Sequence, residues 1–173
     1  MKKFLGTLML AAILFSGCAG YKVSVLGVDV KALHSMNKKD CLEVIGGAVT
    51  STAVHVAGHF LAAEIFGVDM ELEDFREIAY TDDKIALQWI ARGGFLLQLA
   101  VNTTLVELAP DSYFTKGFTG FTSLELFTYH SRWQNEGDFV LLDQQGADSD
   151  MEYKLFLAWQ AYNVLRLSIT EGE

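Results

Sequence analysis

Along the chain, long apolar stretches alternate with short acidic connections, which is the pattern of packed helices. Asp40, with Glu43 three residues on, matches a capping box; an apolar segment then runs to Phe66 and meets Gly67, a C-terminal stop. From Lys84 to Leu108 apolar residues such as Ile85, Leu87, Ile90, Phe95, Leu99 and Val106 fall on most faces, and Pro110 ends the run. This second helix is expected to be central. Tyr113 to Tyr129 is aromatic and threonine-rich and reads as a third helix, although Gly117 and Gly120 weaken the propensity. A last helix is expected from Met151 to about Ile169.

The connections read differently. Residues 69–83 are dense in charge and predict a solvated link with room for a short helix. Residues 131–150 predict a long polar loop holding one short apolar segment, and loops of that length in compact domains are usually functional or disordered. Residues 21–33 alternate apolar and polar and read as a short strand or an extended lead-in, with no clear partner strand. The expected fold class is therefore mainly α. It is a single helical domain of about four helices over residues 40–173, with little or no sheet.

Val44 to Ala63 is a charge-free run of 20 residues, long enough to span a bilayer. It also holds Thr50, Ser51, Thr52, His55, His59 and three glycines, which argue for a buried helix of a globular domain instead.

Composition narrows the classes. The 173 residues are 51% hydrophobic and include 12 Phe, 6 Tyr and 3 Trp, enough apolar surface to offset ordering entropy. With 13 Lys and Arg against 22 Asp and Glu the formal charge is −9, which repels phosphates, so nucleic acid is not an expected partner. Two cysteines cannot form a disulfide scaffold.

One cysteine has another expected fate. Lys2 and Lys3 precede an apolar stretch from Phe4 to Phe15, followed by Ser16-Gly17-Cys18. Phe15-Ser16-Gly17-Cys18 resembles the lipobox of bacterial lipoproteins, with Phe where that family usually has Leu. The resemblance implies a signal peptide over residues 1–17, a diacylglycerol on Cys18, and a lipid-anchored lead-in over residues 18–39. It implies a protein of the bacterial cell envelope held on the membrane by acyl chains. Ala19 after the cysteine implies the outer membrane, facing the periplasm, if the organism is Gram-negative. Losing Lys2 and Lys3 would take the charge from −9 to −11. Cys41 would remain as a spare thiol, expected to be a buried small hydrophobe.

The candidate chemistry lies in His55-Val56-Ala57-Gly58-His59. Histidines four apart on a helix stand about 40° apart around its axis and one turn along it, so both rings can face one metal ion. The stretch from His55 to Val68 resembles the active-site helix of the site-2 protease family of intramembrane zinc metalloproteases, where a His-Glu-x-Gly-His helix precedes Ala-rich residues and a Gly-Val turn. That resemblance implies zinc. It departs at Val56, where the family has the glutamate that deprotonates metal-bound water, and valine can neither take nor orient a proton. The family's Asn-x-x-Pro and Asp-Gly motif is missing as well, and Gly137-Asp138, in reversed order, is the nearest echo.

A two-histidine site needs one more ligand plus water. Asp138 is the candidate third ligand, with His130 and Asp143 as alternatives. The function expected is metal binding or partner binding, to a protein or peptide, without proteolysis. Two other readings stay open. The histidines can be core residues bonded to carbonyls and neighbouring helices in a structural lipoprotein, or the chain can be a metal-dependent hydrolase whose base is Glu64 or Glu136. Glu64 lies nine residues from His55, about 180° around an ideal helix. Gly93-Gly94 reads as close helix packing, His34 as solvated.

Overall fold

The computed structural model describes residues 36–73, 76–130 and 137–170, with the side chains of Arg76, His130 and Thr170 outside that set. Cys18 and the signal segment, the 21–33 lead-in, His34 and Glu136 lie outside the described residues. The chain divides into two units, residues 1–41 and 42–173.

The described end of the first unit holds the start of helix α1 (Lys38–Ile65). Its capping box sits one turn earlier than the Asp40/Glu43 spacing predicts. Asn37 Oδ1 accepts the backbone N–H groups of Lys39 and Asp40 at 2.8 and 3.0 Å, and Asp40 Oδ2 accepts the N–H of Asn37 at 3.2 Å. Asp40 is therefore the reciprocal partner in the cap, a role that an acid three residues after an Asn fills equally well. Cys41 is a free thiol and half-buried, not buried as expected.

In the second unit α1 runs to Ile65, and Gly67 follows its last turn. There φ is +64°, and the Val68 and Gly67 N–H groups return to the carbonyls of Ala63 and Glu64 at 2.9 and 3.1 Å. This is the Schellman stop that the glycine predicts. Helix α1 has the length and apolar composition to cross a membrane. Its buried residues, Gly47, Ser51, His55, Gly58, His59 and Ala63, recur at helical spacing on one face.

The charged link after Gly67 contains sheet, not helix. Strands β1 (Met70–Glu73) and β2 (Arg76–Ala79) pair antiparallel, with Met70 opposite Ala79 and Glu73 opposite Arg76. Alternation of Met70 and Leu72 with Glu71 and Glu73 has the period of a strand, and acidic composition concealed it.

Helix α2 (Lys84–Leu108) has the bounds its periodicity predicts, because Asp83 caps it by accepting the N–H groups of Ile85 and Ala86 at 2.8 and 3.3 Å. Helix α3 (Tyr113–His130) follows. The expected 131–150 loop contains a seven-residue helix, α4 (Asp138–Gln144), and α5 (Ser149–Thr170) closes the fold. Among the described residues the protein is thus mainly α, with five helices and one small hairpin. Helix α4 forms because Phe139 and Leu142, three residues apart, both turn onto the core.

That core is built on α2. Ala91, Phe95 and Leu99 pack with Leu126 of α3, Phe139 and Leu142 of α4, and Phe156 of α5. Phe95 stacks on Phe139 at 5.5 Å and meets Tyr129 edge-on at 5.4 Å. Polar side chains occupy the same helix further along. Asn102 donates to Gln160 at 2.8 Å and accepts from Thr119 at 2.7 Å, joining α2, α5 and α3. Arg92 holds Glu152 of α5 through two bonds, 2.7 Å from Nε and 2.5 Å from the terminal nitrogen.

Candidate metal centre

His55 and His59 face inward from α1 and are 2% and 5% exposed. Their Nε2 atoms are 3.1 Å apart. Asp138, the first residue of α4 and 9% exposed, brings its carboxylate to the same point. One oxygen is 3.1 Å from His55 Nε2, the other 3.5 Å from His59 Nε2. The three residues form the one group of histidine, cysteine and acid side chains able to hold a metal ion among the described residues, with ligand atoms within 4.8 Å of one another. For metal–ligand bonds of about 2.0–2.1 Å, the edge of a tetrahedron is about 3.3 Å, close to the 3.1 Å between the two Nε2 atoms.

The far sides of both rings fix where the protons sit. His59 Nδ1 is 2.7 Å from the backbone carbonyl of Ile90, which only accepts, so Nδ1 carries the proton and donates it. His55 Nδ1 is 3.2 Å from Gln98 Oε1. The Gln98 amide nitrogen meanwhile donates to the Ser51 hydroxyl at 2.7 Å, to the Ser51 carbonyl at 3.3 Å and to a Glu125 oxygen. A carbonyl and a carboxylate on that side require NH2 there, so Oε1 faces His55 and accepts its Nδ1–H. When neutral, both histidines therefore turn an Nε2 lone pair toward Asp138.

With both rings neutral, two imidazole lone pairs and a carboxylate converge there, and a second proton on His55 would supply the one donor. Asp138 Oδ2 is buried and makes no hydrogen bond, despite its close approach to His55. Such an arrangement requires a cation or an added proton at its centre. Burial alone would push the His55 imidazole down; the contact and charge of Asp138, then the charge of Glu125 and the Gln98 bond, outweigh it and hold His55 up at about 9. A metal ion would replace that proton. The Glu125 carboxyl is itself pushed up by burial, an effect opposed by His55 and by the bonds from Gln98 and Thr52.

Room for the rings comes from α2. A Cβ on Gly94 would lie 2.5 Å from His59 Nε2 and 2.8 Å from His55 Cε1. Beside it the backbones touch: a Cβ on Gly58 would sit 2.2 Å from the Gly93 carbonyl oxygen. The expected packing role of Gly93-Gly94 holds, and Gly94 has a second role as the floor under the imidazoles.

Among the described side chains, Asp138 is the third-ligand candidate that the fold brings to the histidines. Asp143 lies on α4 facing the start of α5, where it accepts the Ser149 hydroxyl at 2.5 Å, and it is not in the converging group. The His130 side chain is outside the described residues. Glu64 is exposed, on the side of α1 away from the rings, and cannot serve as their base. Sequence reasoning missed Gln98, Glu125 and the Ile90 carbonyl. The available signal was Gln98 in the uncharged stretch of α2, and Glu125 as a lone acid among aromatics and threonines. No family model, curated protein or solved structure matches this chain.

Proposed function

We propose that this chain is a lipid-anchored envelope protein that binds a divalent metal, zinc by its donor set, at His55, His59 and Asp138, and that it uses the ion to hold its fold without hydrolysing peptides. The observation carrying the metal reading is the convergence of two Nε2 atoms and a buried carboxylate, with each Nδ1 bonded to an acceptor behind its ring. Imidazole and carboxylate ligands at this spacing suit zinc, and the hydrogen-bonded Nδ1 groups fix the rings as ligating histidines require.

Two features speak for a structural ion. The ligand residues are no more than 9% exposed, so the ion would be shut off from a bulky substrate even though three protein ligands leave its fourth position to water. Val56 stands where a water-activating glutamate would be needed. The ion would tie α1 to α4 across the core. It should be present at about one per chain in the purified protein by elemental analysis, and lost when His55 and His59 are both replaced by Ala; metal at background in the native chain overturns the reading.

A second reading has its own observation: the His55–Asp138 pair holds the imidazole protonated at about 9, so the cluster can stand as an ion pair inside the core. It predicts stability that is indifferent to chelators. Anchoring rests on the order of Lys2-Lys3, the apolar run and Ser16-Gly17-Cys18. Labelled palmitate should be incorporated in cells and the protein recovered with membranes, and Cys18→Ser should abolish both; a C18S chain still labelled and membrane-bound refutes the anchor.

A further inference from the structure

Beyond the three ligands, His55 is the end of a buried polar chain that reaches α3. Glu125, 8% exposed, takes the Thr52 hydroxyl on one oxygen at 3.3 Å and the Gln98 amide on the other. Gln98 is fully buried, and its remaining polar atom, Oε1, meets His55 Nδ1 at 3.2 Å. Ser51 completes the enclosure, with its hydroxyl 2.7 Å from the Gln98 nitrogen and 3.0 Å from Thr122 Oγ1. A buried carboxylate at the far end of this polar chain has a desolvation cost that an amide would avoid, so a function for the charge is called for.

An amide can face either way. What makes Gln98 present oxygen to His55 is that its nitrogen has a charged acceptor on the other side, and charge-assisted hydrogen bonds are the stronger ones. With oxygen facing His55, the imidazole proton sits on Nδ1 and Nε2 is free to ligate. With nitrogen facing it, Nδ1 would have to accept, the proton would move to Nε2, and that proton would occupy the ligand position. The charges agree with this arrangement. When both are ionised, the buried carboxylates of Asp138 and Glu125 would together offset a doubly charged cation held by two neutral histidines.

We infer that Glu125, acting through Gln98, sets which nitrogen of His55 faces the metal, and is a positioning residue of the centre. This rests on the metal-binding reading above. Zn2+ affinity of the full chain in detergent, measured by competition with a chromophoric chelator, tests it. Glu125→Gln keeps the shape, removes the charge and lets the amide at 98 turn over; the affinity is expected to fall by about 10- to 100-fold. The exchange E125Q/Q98E puts the carboxylate next to Nδ1–H and a donor amide behind it, and should recover most of that loss. A merely structural role for Glu125 predicts no recovery.

A wild-type chain that takes up no Zn2+ overturns the metal reading and this inference together. Zn2+ uptake by the wild type with E125Q equally tight, or with the exchanged pair as weak as E125Q, overturns this inference alone. Imidazole 15N resonances of the zinc-loaded wild type give an independent check that needs no variant. His55 should show a protonated Nδ1 and a ligated Nε2, and the reverse assignment refutes the inference.

Discussion

Chelation of the purified protein is expected to lower its thermal midpoint by about 8–16 °C. The estimate follows from mass action: with free zinc at about 1,000 times Kd the ion adds about 4 kcal/mol, and about 2–4 °C accompanies each kcal/mol for a chain of this length. The effect should be large because of what the ion joins. Helix α4 is seven residues long, and its N-terminal neighbour Gly137 provides no side-chain cap. It holds to the fold through Phe139 and Leu142, worth about 1.5–3 kcal/mol each on burial, and through Asp138. A metal at Asp138 converts that contact into a cross-link from α4 to α1. His59→Ala should produce the lower midpoint at once and make it insensitive to chelator. If the native protein melts at the same temperature with and without chelator while His59→Ala still destabilises it, the histidines are core residues stabilised by the Asp138 pair, and the metal reading falls.

The second large effect is expected from a single methyl group. Gly58→Ala would place Cβ 2.2 Å from the Gly93 carbonyl oxygen, 2.7 Å from its carbon and 2.9 Å from the Gly94 Cα, all backbone atoms with no rotamer by which to yield. The α1–α2 crossing must open, at a cost of about 3 kcal/mol or more, against a helix-propensity gain of only about 1 kcal/mol. Because His59 bonds the Ile90 carbonyl from across the same crossing, metal uptake should fall with stability. Gly120→Ala is the matched control. Its Cβ would have nothing within 4 Å, so the propensity gain stands alone and the variant should be more stable by up to about 1 kcal/mol. Denaturant midpoints of the two variants should move in opposite directions. A neutral Gly58→Ala would mean that the helices are not in backbone contact.

Much of the architecture was legible because it is local. The span of α2 follows from its apolar period and from Pro110 beyond its end, and the end of α1 from Gly67. Elements whose reason lies elsewhere in the fold were missed. The hairpin at 70–79 is too short and too acidic to declare itself, and α4 is too short to be stable alone, so it exists because the core receives Phe139 and Leu142. At the site, the four-residue spacing of His55 and His59 guaranteed a shared face, since that is helix geometry.

By itself, then, the sequence determined a mainly helical chain and a histidine pair on one helix face, with Val56, which cannot take a proton, between them. Tertiary structure decided the rest. Asp138 is 79 residues from His59, and only the docking of α4 on α2 brings it to the histidines while Asp143 turns toward Ser149. The state of the rings was decided the same way. Spacing along a helix says where a side chain points but not what lies behind it, and the proton positions on His55 and His59 come from Gln98 and the Ile90 carbonyl, both supplied by a neighbouring helix.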